Sequence, residues 1–102
     1  MKVSFATDLR VLAENIFPEA RWELDRHQCH SPVAAYMKVS LKGISDEMLI
    51  AIYWFEPWSE FADVSWLEKR RSLQHTDHLA LTDDLSDFIG WFSLIKQEQE
   101  TT

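Results

Sequence analysis

The chain has 102 residues, 46% of them hydrophobic and 26% charged, with a net charge of −7. That is enough chain for one domain with its own core, and the acidic balance works against binding a phosphate backbone, so no nucleic-acid partner is expected. A single cysteine, Cys29, excludes an internal disulfide framework, and no apolar run approaches membrane-spanning length, so the expectation is a cytoplasmic protein without a membrane partner.

Residues 4–17 carry Phe5, Leu9, Leu12, Ala13, Ile16 and Phe17 at the three- and four-residue spacing of one helical stripe. Ser4 or Thr7 can cap it, Asp8 suits its positive end, and Pro18 ends it. Residues 20–27 alternate, with Ala20, Trp22 and Leu24 on one face and charged residues on the other, which predicts a strand with one wet face. Residues 33–42 alternate again, placing Val33, Ala35, Met37, Val39 and Leu41 together. Residues 43–47 read as a turn in which Gly43 takes positive φ.

Residues 48–56 are apolar on both faces, so they predict the best-covered strand of a three-stranded antiparallel meander. Residues 60–74 contain neither Gly nor Pro and are read as a helix capped by Ser59 or Asp63. The alternative is a fourth strand within 64–81, since Leu73, Leu79 and Leu81 share one parity. A last helix follows a cap at Thr82 or Asp83, with Leu85, Phe88, Ile89, Phe92 and Ile95 as its stripe. Gly90 within it implies close packing, and the polar residues 97–102 read as a frayed tail. The expected fold is therefore α+β: an N-terminal helix, three strands, and two C-terminal helices packed on one sheet face.

Two features carry potential chemistry. All four histidines fall in His-x-x-His pairs, His27–His30 with Cys29 between them and His75–His78. Nitrogen and sulfur donors of this kind suit zinc if the fold brings the two clusters together. The usual CxxC and HExxH spacings are absent, as are a phosphate loop and a GxSxG elbow, so no catalytic residue and no cofactor is assigned. Lys69, Arg70 and Arg71 form the only basic run, too short for a nucleic-acid footprint.

The second feature is aromatic. Trp58 and Phe61 follow Pro57 among Glu56, Glu60 and Asp63, and these five are the candidate partner-binding residues. Tyr36, Tyr53 and Phe55, edged by Lys38 and Lys42, form a candidate patch for a homodimer on the sheet face away from the helices. In size, charge and aromatic content the chain resembles the small acidic proteins that neutralise other proteins: immunity proteins, antitoxins and phage-encoded inhibitors. That likeness of class implies a non-enzymatic module that binds a protein with a basic surface; a self-associating structural subunit and a small zinc protein are the rival expectations.

Overall fold

The computed structural model describes residues 4–30, 35–56 and 59–100, without the side chains of Cys29, His30 and Ala35. The order of elements is α1 (Phe5–Ile16), β1 (Arg21–His30), β2 (Ala35–Ile44), β3 (Met48–Glu56), β4 (Phe61–Glu68), β5 (Leu73–Ala80) and α2 (Ser86–Glu100). The strands form one antiparallel meander in the order β1-β2-β3-β4-β5.

This corrects the sequence-based architecture. Among the described residues the sheet has five strands and only one helix follows it. The segment read as a helix over 60–74 is β4 and the turn into β5. Its alternation was present in the residues: Ala62, Val64, Trp66 and Glu68 are buried, while Phe61 and Asp63 are exposed. The turn hid itself because it uses no glycine. Ser72 adopts a φ of 54° instead, a left-handed backbone that non-glycine residues take up at some cost. Arg71 holds the turn by two hydrogen bonds to Glu68, at 2.7 and 2.6 Å. The basic run at Lys69–Arg71 thus belongs to a tight connection, not to a helix surface.

Register assigns each strand's two faces. The rows Trp22–Gly43–Ile50–Trp66–His75 and Leu24–Leu41–Ile52–Val64–Asp77 lie on the side facing the helices. Phe5 and Leu9 of α1 and Phe88, Phe92 and Ile95 of α2 are fully buried there. Phe5 meets Trp54 at 5.7 Å and Phe88 at 6.0 Å, and Phe92 meets Phe17 at 5.9 Å and Trp22 at 6.2 Å. Such edge-to-face contacts each add roughly 0.5–1.5 kcal/mol beyond burial. β3 occupies the centre, as its two-sided apolar pattern predicts.

Two glycine expectations are also corrected. Gly43 lies within β2 without positive φ, and Gly90 faces open space on α2 with no close neighbour. α2 begins at Ser86, because Leu85 turns left-handed at φ 58°. Asp84 Oδ1 accepts from the Ser86 amide at 3.1 Å and from the Thr82 hydroxyl at 2.7 Å, so Asp84 supplies the capping oxygen. The helix continues through Glu100. No helix among the described residues is long and apolar enough to cross a membrane.

Candidate functional site

The face of the sheet away from both helices carries the surface with the most distinctive chemistry. One row across it reads Asp25, Ser40, Tyr53, Asp63, His78. In this row His78 Nδ1 lies 2.5 Å from Asp63 Oδ1, with both side chains about three-quarters exposed. Exposed pairs of this kind contribute little to stability; the backbone ladder is what joins β5 to β4. The ammonium of Lys38 sits 5.1 Å over the Tyr53 ring. Beside it, Tyr36 and Phe55 meet at right angles with their centroids 5.1 Å apart.

Two adjoining depressions, of about 430 and 320 Å³, share Tyr53 and Asp63. The first extends toward Ser65, Thr76 and His78, and the second toward Lys38, Phe55 and Phe61. Phe61 is 57% exposed and Phe55 40% exposed. Each lies two residues beyond the last registered pair of β3 and β4, Tyr53 with Asp63, on the same open face. Among the described residues their side chains are the largest apolar groups that this face leaves in water.

The candidate residues named from sequence divide accordingly. Phe61 and Asp63 share the open face with Tyr36, Tyr53 and Phe55, so the two aromatic patches are one surface. Glu56 has the opposite parity: it accepts from Trp54 Nε1 at 3.4 Å and lies 3.8 Å from Arg26 Nε. Glu60 is exposed, and its carbonyl accepts from the Leu81 amide at 2.9 Å. Pro57 and Trp58 lie outside the described residues. Sequence reading placed Lys38 at the edge of this patch, where it sits over Tyr53, but missed the pairing of His78 with Asp63. Only the register of β4 with β5 reveals that pairing, and it depends on strands in a segment read first as a helix.

The histidine clusters are not brought together. His27 lies on β1 and His75 and His78 on β5, the two opposite edges of the sheet. Four strand spacings separate these edges, about 19 Å. His75 and His78 also point to opposite faces of β5, with His75 stacked on Trp66 at 4.9 Å. Among the described residues no three His, Cys, Asp or Glu side chains are grouped as metal ligands require. The side chains of Cys29 and His30 lie outside the description.

Titration is perturbed at a turn and at a helix cap, both away from this face. Two hydrogen bonds and the positive charge of Arg71 hold the Glu68 carboxyl below its ordinary value. The Thr82 hydroxyl and the Ser86 amide do the same for Asp84. Both shifts are explained by a turn and a helix cap, and neither marks a reactive centre. No family model, characterised protein or solved structure matches the chain.

Proposed function

We propose that the chain is a non-enzymatic protein-binding module that engages a protein partner through the open face of its sheet. Inhibition of that partner is the form of action its size and acidity favour. The observation that supports this reading is the exposed pair Phe55 and Phe61, set beside Tyr36 and Tyr53 where no helix covers the sheet. Aromatic side chains of this kind supply large contact area for little lost rotamer freedom, and they anchor interfaces. Asp63, Glu60 and the net charge of −7 favour encounter with a basic surface.

The test is differential capture. Wild-type protein, Phe55→Ser/Phe61→Ser and the control Val11→Ser, which alters an exposed residue on α1, are used as bait in their native extract after circular dichroism shows equal folding. The reading expects one partner to be retained by wild type and the control and lost from the double variant. A double variant that retains the same partners removes it.

Self-association is the second reading, supported by the continuous patch of Tyr36, Phe55, Tyr53 and Lys38. Repulsion between two copies of charge −7 works against it. A monomer in sedimentation velocity at high protein concentration would dismiss this alternative.

A further inference from the structure

We propose that the outer edge of β5 at Gln74 and Thr76, with the groove between β5 and α2, receives a short extended peptide carrying alternating apolar and basic side chains. This surface adjoins the open face at Thr76, which also lines the first depression there, but the proposal does not depend on the function argued above.

The edge is exposed because, among the described residues, β5 pairs only with β4. The Leu81 amide donates to Glu60 at 2.9 Å, which turns the odd-numbered backbone groups of β5 toward β4 and the even-numbered ones outward. The outward amides are treated in two ways. Ala80 donates to Asp87 Oδ2 at 3.0 Å and His78 to Asp77 Oδ1 at 2.8 Å, so side-chain carboxylates close the C-terminal half of the edge. Gln74 and Thr76 have no such acceptor among the described residues, so the N-terminal half is open to another strand. An added strand there would form main-chain hydrogen bonds along only a few residues.

What lies beside the open half makes it a docking site. A groove of about 430 Å³ runs between β5 and α2, bordered by Trp66, Leu73, His75, Trp91, Leu94 and Glu98. Leu73 and Leu94 are 43% and 54% exposed on its walls. Every second side chain of an added strand points to the helix side of the sheet, and so into this groove. Trp66 contributes an indole N–H that is buried without an acceptor among the described residues.

Charge selects the occupant. Asp77, Glu98 and Arg71 border the groove. Arg71 is held by both oxygens of Glu68 and also feels the charge of Glu98, and Asp77 accepts from the His78 amide, so the carboxylates outnumber the one guanidinium. Basic side chains flanking the apolar ones therefore complement the site and the chain as a whole. A second copy is a poor occupant. Pairing two β5 edges about His75 would oppose Leu73 with Asp77 and His75 with itself, between molecules that each carry −7.

The experiment uses a blocked nonapeptide alternating leucine with lysine, and a matched peptide with glutamate in place of lysine. Each is titrated into isotopically labelled protein and followed by amide chemical shifts and hydrogen exchange. The lysine peptide is expected to shift and protect the Gln74 and Thr76 amides at concentrations up to about 1 mM. Thr76→Pro removes an outward donor without touching the β4 ladder, and Leu94→Lys places a like charge in the groove. Each is expected to weaken binding at least about tenfold. Shifts that map to Tyr36, Phe55 and Phe61 instead, equal binding of the glutamate peptide, insensitivity to both variants, or no response at the two amides would each overturn the proposal. So would a β5-to-β5 dimer detected by sedimentation and abolished by Thr76→Pro.

Discussion

Trp22 and Gly43 are cross-strand partners on β1 and β2, and the indole lies where a side chain at position 43 would have to be. A Cβ built on Gly43 would stand 2.5 Å from Trp22 Cη2 and 2.7 Å from two further ring carbons. The ring cannot easily retreat. Its Nε1 donates to the Phe17 carbonyl at 3.2 Å, and Phe17 and Phe92 pack against it. Gly43→Ala is therefore expected to destabilise the fold by about 1–3 kcal/mol through overpacking. Urea denaturation checks it, and an unchanged midpoint would show that the indole moves freely.

Gly90 gives the opposite expectation from the same residue type. It sits in α2 with open space where a Cβ would go. Gly90→Ala should stabilise the protein by about 1 kcal/mol, the cost of glycine's backbone freedom in a helix interior. The measurement is the shift in thermal midpoint, and a fall would mean that α2 is not helical there in solution.

Two buried tryptophans differ in one hydrogen bond. Trp22 Nε1 has the Phe17 carbonyl, whereas Trp66 Nε1 is buried with no acceptor among the described residues. An unsatisfied buried donor costs roughly 1–3 kcal/mol, so Trp66→Phe relieves a penalty while losing some ring area. Its net cost is expected to fall at least about 1 kcal/mol below that of Trp22→Phe. Parallel denaturant titrations decide it, and equal losses would mean that the Trp66 indole does find a partner.

Glu68 and Arg71 predict an acid-side loss of stability. Arg71's hydrogen bonds, then its charge, hold the folded Glu68 below the ordinary 4.5 and raise Arg71 above its own. A carboxyl depressed on folding stabilises the protein above its unfolded pKa, and that stabilisation disappears as pH falls through the folded value. Asp84 behaves in the same direction through the Thr82 hydroxyl. Glu68→Gln should thus flatten part of the stability slope below pH 4.5 and leave Asp84's share. An identical slope in the variant would refute Glu68's contribution.

Local pattern was sufficient for much of this chain. The stripe of Phe5, Leu9 and Ala13, the stop at Pro18, the alternation around Trp22 and Val39, and the two-sided run 48–56 each specify an element by themselves. The stripe of α2 holds for Phe88, Phe92 and Ile95, but Ile89 is exposed, Trp91 is buried and Leu85 precedes the helix. The segment from 60 to 74 did not, because its turn relies on Ser72 in a left-handed conformation and on Arg71 clamping Glu68. Neither carries the glycine or proline signal by which turns are recognised.

For the site, sequence placed Tyr36, Tyr53 and Phe55 on one face by parity alone, and named Phe61 as an exposed aromatic. Tertiary structure joined them, since only the β3–β4 register carries Phe61 to the side of Phe55. It also separated the histidine pairs that looked alike in one dimension, because a meander sends its first and last strands to opposite edges. Periodicity along a chain records which way each side chain points relative to its neighbours. Which side chains meet is set by strand order and register, and those follow from how the whole sheet buries its apolar face beneath two helices.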